Sequence, residues 1–114
     1  MTVRDRILEY WRKSPDISFT SRQIGALLLR DGHIGIDACR GQAIDARARM
    51  PRAGVDRLIE YGAQNIAASH LGILRKRGLV SASAGRPAYY RLTDVGRSNL
   101  AAEAARVASE LEGI

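Results

Sequence analysis

The first apolar positions of the chain recur with the spacing of an amphipathic helix. They predict a helix over 3–13, in which Thr2 caps the start and Asp5 completes a weak capping box. Ser14-Pro15 is expected to end it, because the residue before proline avoids the helical region. The alternating residues 17–19 that follow predict a short extended strand.

A second apolar stripe predicts a helix over 21–30, capped by Thr20 or Ser21 and stopped by Gly32. Residues 31–64 form a segment in which glycine, alanine and charges outnumber large apolar residues. Weak periodicities there predict one or two short helices, at 37–49 and at 54–61.

The chain regains a well-defined helical pattern at Asn65, which is expected to cap a helix over 65–77. Its inward seam consists of Ala67, Leu71 and Leu74, and Gly78 supplies the stop.

Residues 79–92 then predict a β-hairpin that turns at 84–87. Thr93 is expected to cap a last helix over 94–111. The prediction is a single domain over 1–114, mainly α-helical with a small antiparallel hairpin or three-stranded sheet, an α+β fold.

Charge is distributed unevenly along the chain. Lysine and arginine number 18 against 12 acidic residues, which gives a net charge of +6. The stretch 61–93 has no acidic residue and carries five cations, namely Arg75, Lys76, Arg77, Arg86 and Arg91. This segregation indicates a face that binds a polyanion.

Several protein classes are excluded by the sequence. No apolar run is long enough for a membrane span, and the charged N-terminus is not typical of a secretory signal. One cysteine and two histidines argue against a disulfide framework or a metal site. Nucleotide-binding and hydrolase motifs are absent, so we expect neither a cofactor nor catalytic activity. These exclusions and the basic face together predict a cytoplasmic, nucleoid-associated protein.

The predicted helix 65–77, which we call the reading helix, resembles part of a known protein family together with the hairpin and the start of the final helix. The residues that carry this resemblance are Ser69-His70-Leu71, Leu74, Gly78-Leu79-Val80, Gly85-Arg86, Tyr90-Arg91-Leu92-Thr93 and Gly96, and 17–28 resembles the strand and helix that precede them. Together these resemble the winged helix-turn-helix transcription regulators, with the ArsR-type and MarR-type families nearest. The chain departs from that pattern by inserting 31–64 between two helices that the family joins closely, and it lacks the paired cysteines of metal-sensing ArsR-type proteins.

The resemblance implies a sequence-specific protein that binds double-stranded DNA, with helix 65–77 in the major groove and hairpin tip 83–87 on the backbone or in the minor groove. Amide and hydroxyl groups suit base edges, small residues allow close approach, and cations suit phosphates. The candidate DNA-binding residues are Arg22, Gln64, Asn65, Ala68, Ser69, Gly72, Arg75, Lys76, Ser83, Arg86 and Arg91.

The resemblance also implies a homodimer that represses transcription by occluding promoter DNA, with a small-molecule effector left undefined. Candidate interface residues lie on the first and last helices: Tyr10, Trp11, Leu100, Ala104, Val107 and Leu111.

The sequence leaves alternatives open. The chain could instead be a winged-helix module that docks on protein or RNA within a larger replication, partition or ribosomal assembly, with 31–64 as the partner surface. Cys39 is either a packed core residue or a redox-sensitive thiol, and His70 is either a partly buried side chain or a phosphate ligand.

Overall fold

Helices dominate the computed structural model, which describes residues 2–42 and 54–112. The helices are α1 (Val3–Glu9), α2 (Ser21–Arg30), α3 (Ile36–Gln42), α4 (Val55–Lys76) and α5 (Asp94–Glu112), and the strands are β1 (Val80–Ala82) and β2 (Tyr90–Leu92). The mainly helical α+β class is therefore confirmed. Residues 43–53, into which the predicted helix 37–49 extends, lie outside the described part of the chain.

Helix α1 begins as predicted but ends four residues earlier than expected. Thr2 and Asp5 form the reciprocal capping box. The backbone N–H groups of Tyr10, Trp11 and Arg12 bond to carbonyls three residues back, which ends the α-helix in a tighter turn. This turn carries Trp11 into the core, where its indole N–H donates to the carbonyl of Ile17 at 2.8 Å.

The predicted boundaries of α2 are confirmed, and Thr20 rather than Ser21 is its cap. Thr93 caps α5, since its Oγ1 accepts from the backbone N–H of Gly96 at 3.1 Å. At the end of α4, Gly78 has a φ of 76° and supplies the predicted stop. The next residue, Leu79, returns its N–H to the carbonyl of Leu74 at 3.0 Å, which closes the turn.

The predicted pair of helices 54–61 and 65–77 is wrong, because α4 runs without a break through both. Gly62 does not stop the helix. A Cβ at this position would lie 1.9 Å from the carbonyl oxygen of Cys39, so the glycine allows the backbones of α3 and α4 to touch. Asn65 consequently lies inside the helix, where it cannot act as an N-cap.

The hairpin has the predicted order but shorter strands. In the antiparallel β1–β2 pair, Val80 faces Leu92 and Ser81 faces Arg91. The predicted strand 17–19 joins through one bridge, in which Phe19 and Tyr90 exchange backbone hydrogen bonds of 3.0 and 2.7 Å. Strand β2 therefore lies between Phe19 and β1.

A single core connects these elements. It is formed by the apolar faces of α1, α2 and α4, the inner face of the hairpin and the first turns of α5: Ile7, Trp11, Ile24, Leu28, Ala67, Leu71, Leu74, Val80, Leu92 and Leu100. The predicted inward seam of the reading helix is thus confirmed. Beyond Leu100, α5 leaves this core, and the molecule has a longest extent of 55 Å.

Two glycines of α4 provide a matched test of its packing. We expect Gly62→Ala to destabilise the fold by about 1–3 kcal/mol, because the added methyl group meets the Cys39 backbone. Gly72→Ala should instead stabilise it by about 0.5–1 kcal/mol, since a Cβ there has no neighbouring atom within 4 Å. Denaturant unfolding of both variants measures the difference, and equal effects would contradict the close α3–α4 contact.

Candidate nucleic-acid interface

The predicted reading face is the side of α4 that carries the candidate base-contacting residues, and it is part of a longer stripe along that helix. Residues spaced alternately four and three apart lie on one side of a helix, and this stripe consists of Leu58, Gly62, Asn65, Ser69, Gly72 and Lys76. Leu58 and Gly62 are buried, and Cys39 of α3 packs against Gly62. Helix α3 therefore covers the stripe at Gly62, and the predicted reading face begins about one turn further along, at Asn65.

The reading residues differ in how far they reach solvent. Ser69, Arg75 and Lys76 are exposed, whereas Asn65 is partly buried. The hydroxyl of Ser69 donates to the carbonyl oxygen of Asn65 at 3.1 Å, so in this conformation it offers only acceptor capacity to a ligand. The other candidates, Gln64, Ala68 and Gly72, are also partly buried.

The hairpin tip presents Arg86 to solvent beside Gly85 and Pro87. Gly85 has a φ of 111°, a conformation that favours glycine. Ser83, a predicted DNA contact, closes the turn internally: its N–H donates to the carbonyl of Tyr89, and its Oγ accepts from the N–H of Tyr89, both at 2.9 Å. Ser83 and Arg86 are the two predicted DNA contacts at the tip. Ser83 uses its polar groups to close the turn, whereas the Arg86 guanidinium has no such role.

Arg91 lies on the other side of the sheet from α4. Side chains alternate along a strand, and Leu92 points into the core that α4 shares. Arg91 is exposed on the outer face, where its Nη2 donates to the carbonyl of Asp16 at 3.1 Å. The structure does not bring this predicted contact to the α4 face.

Arg22 lies beside α4, so it can form one surface with the candidate residues of that helix. Its Nη2 is 3.6 Å from Oε2 of Glu60, and both side chains remain well exposed, at 71% and 59%. The two residues line a shallow cleft together with Arg57, Tyr61 and Gln64. Arg57 and Tyr61 were not among the predicted DNA-binding residues, because the sequence pattern assigned them to a separate short helix.

The exposed cations of the acid-free stretch are not neutralised by neighbouring carboxylates. Arg75, Lys76, Arg77, Arg86 and Arg91 make no ion pair with an acidic side chain of residues 2–42 or 54–112. Elsewhere in the fold, Arg12, Arg30 and Arg97 each pair with a carboxylate. The five cations of the acid-free stretch therefore keep a positive charge that can bind phosphate.

The predicted dimer residues divide into two groups. Trp11 and Leu100 are buried in the core of the chain itself, and the Tyr10 hydroxyl donates to Asp31 at 2.8 Å. The side chains of Trp11 and Leu100 therefore pack within the protomer, and their predicted role in an interface has no exposed surface to support it. The other residues, Ala104, Val107 and Leu111, are exposed on α5.

Cys39 and His70, for which the sequence left two roles open, are both at least partly buried. Cys39 is buried, and burial raises the pKa of its thiol, which disfavours the reactive thiolate. His70 is partly buried, and Nη1 of Arg4 lies 3.4 Å from its Nδ1. Burial, and then the charge of Arg4, lower the pKa of His70 below its ordinary value of 6.5.

In the described part of the chain, no group of three or more metal-ligating side chains could hold a metal ion. None of the helices described here is long and apolar enough to cross a membrane. Comparison of the chain with protein-family models, curated proteins and solved structures found no match.

We expect His70 to make stability depend on pH. Because its pKa is lowered in the fold, the unfolded chain binds more protons below about pH 6.5. The free energy of unfolding should therefore fall as the pH drops through 6.5 towards the folded pKa, and should be unaffected by this group at higher pH. His70→Gln should flatten that dependence in denaturant titrations, and an unchanged slope would contradict it.

Proposed function

We propose that the protein is a winged helix-turn-helix protein that binds double-stranded DNA in a sequence-specific manner. The observation that carries the proposal is the set of exposed cations at the end of α4 and in the hairpin, none of which has a carboxylate partner in the described residues. The element order and the Phe19–Tyr90 bridge beside the hairpin support the assignment. Phosphate contacts of this kind supply most of the affinity of a protein for DNA.

In this proposal the second half of α4 lies in the major groove. Ala68 and Gly72 allow the helix backbone to approach the base edges closely, and the Asn65 and Gln64 amides match the donor and acceptor pair of adenine. Ser69 accepts from a base amino group while its own O–H donates to the Asn65 carbonyl oxygen. Arg75 and Lys76 bind the adjacent phosphates and fix the register.

The hairpin acts as the wing. Arg86 at the exposed tip is placed for a narrow minor groove, where the negative potential is strongest. Ser83 supports the turn and makes no DNA contact in this proposal, and Arg91 contributes at most through the field of its charge, because it lies on the outer face of the sheet.

A second copy of the chain completes the DNA-binding unit. Residues Ala104, Val107, Ala108 and Leu111 recur at helical spacing on α5 and form an apolar strip, with Val107 44% and Leu111 67% exposed. A two-fold dimer through these strips would present two α4 helices to a palindromic site. Occupation of such a site within a promoter would repress transcription by excluding other proteins.

The alternative function is docking to protein or RNA within a larger assembly. Its support is the exposure of Ile36 and Val55, two large apolar side chains at the starts of α3 and α4 in the inserted segment. Under this alternative the duplex affinity would be weak and would disappear at moderate salt.

The proposal is tested by fluorescence anisotropy with a labelled random-sequence duplex pool at about 50 and about 200 mM salt, followed by selection of the tightly bound fraction. We expect enrichment of a palindrome. Lys76→Ala should reduce the slope of log affinity against log salt by about 0.9, the value for one phosphate contact.

Lys13→Ala, which removes the other lysine of the chain at an exposed site outside the proposed interface, is the matched control and should leave the slope unchanged. Weak binding that enriches no sequence would contradict the proposal and favour the docking alternative.

The dimer has its own test. The double variant Val107→Glu and Leu111→Glu should be monomeric by light scattering, because it places charges in the apolar strip. Ala102→Glu, on the opposite side of α5, should leave the dimer intact. If the unaltered protein is already monomeric at high concentration, the dimer is excluded.

A further inference from the structure

The open side of α4 carries polar and cationic residues well beyond the predicted reading segment. Arg57, Tyr61, Gln64 and Ala68 follow one another at spacings of four, three and four, and Gly72 and Arg75 continue this open side at spacings of four and three. This stripe faces the start of α2, where Arg22 lies.

The remaining sides of α4 are less suited to a polyanion. Helix α2 packs against its backbone, since a Cβ on Gly25 would lie 2.7 Å from the carbonyl group of Ala63. Helix α3 covers the side that contains Gly62 near the start of α4, so that side is open only from Asn65 onward. Between α3 and the core lie the apolar side chains of Ile66 and Ile73. The stripe from Arg57 to Arg75 is therefore the side on which phosphate contacts are chemically favoured.

The length of the stripe decides how it meets a duplex. The 18 residue steps from Arg57 to Arg75 span about 27 Å at 1.5 Å per residue. The major groove is about 12 Å wide, so a helix that crosses it would place within it a segment of about eight residue steps, such as Gln64 to Gly72. When those residues lie in the groove, the two ends of the stripe extend over the sugar-phosphate backbones on either side.

We propose that Arg57, together with Arg22 across the cleft, binds phosphates on one edge of the groove, opposite to those bound by Arg75 and Lys76. The inference rests on the proposed function and extends its surface two helical turns towards the N-terminus of α4. It gives the inserted segment a role in DNA binding rather than in protein docking.

Glu60 sets the strength of this site. Its carboxylate lies 3.6 Å from the Arg22 guanidinium and lines the same cleft as Arg57. An exposed pair of this kind stabilises a fold very little. Removal of the Glu60 charge should therefore leave the fold intact. It should also free Arg22 to bind phosphate and remove the repulsion between the Glu60 carboxylate and the DNA phosphates.

The test compares Arg57→Ala and Glu60→Gln with matched variants on α5, Arg106→Ala and Glu110→Gln, using the full chain and the labelled random-sequence duplex. Arg57→Ala should weaken binding, and its deficit relative to the unaltered protein should shrink about 3.5-fold between about 50 and about 200 mM salt, as expected for one lost phosphate contact. Glu60→Gln should strengthen binding. Arg106→Ala and Glu110→Gln should match the unaltered protein.

These outcomes separate the two proposals. If the unaltered protein binds duplex DNA but Arg57→Ala behaves as Arg106→Ala does, the extended surface is excluded and the proposed function stands. A weaker complex with Glu60→Gln would also overturn the extended surface. If the unaltered protein does not bind duplex DNA at either salt concentration, both proposals fail.

Discussion

The contact of α4 with helices on two of its sides is the constraint on which the rest of the structure depends. Gly25 of α2 and Gly62 of α4 are the points where backbones touch, and a side chain at either position would force the helices apart. Because the core residues Ala67, Leu71 and Leu74 fix the rotation of α4 about its own axis, these contacts also determine which residues remain open to solvent.

The chemistry of the candidate site follows from that rotation. The side of α4 left open between α2 and α3 carries amides, small residues and cations, whereas the apolar side chains of Ile66 and Ile73 lie on another side. Cations with carboxylate partners, such as Arg12 and Arg97, lie near α1 and α5. Five exposed cations that have no carboxylate partner in the described residues lie at the end of α4 and in the hairpin, where their charge suits a polyanionic partner.

Short-range sequence patterns were sufficient to predict the local features of the fold. The capping boxes of Thr2 and Thr20, the Thr93 cap and the Gly78 stop depend on residues within a few positions of one another, so spacing and residue type are sufficient to identify them. The helical stripe of Ala67, Leu71 and Leu74 likewise identified the inward side of the reading helix. The acid-free stretch 61–93 pointed to the cations of the candidate interface before their surroundings were known.

Features that depend on residues far apart in sequence emerge only from the packing of the folded chain. Gly62 interrupts a helical pattern in sequence, but the Cys39 backbone that it contacts lies 23 positions away, so its packing role cannot be derived from spacing. The same applies to Arg91, whose guanidinium donates to the carbonyl of Asp16, 75 positions away, and which the sheet separates from α4. Local sequence specifies where helices start and stop, but long-range packing specifies whether a glycine ends a helix or joins two, and which side of that helix stays open.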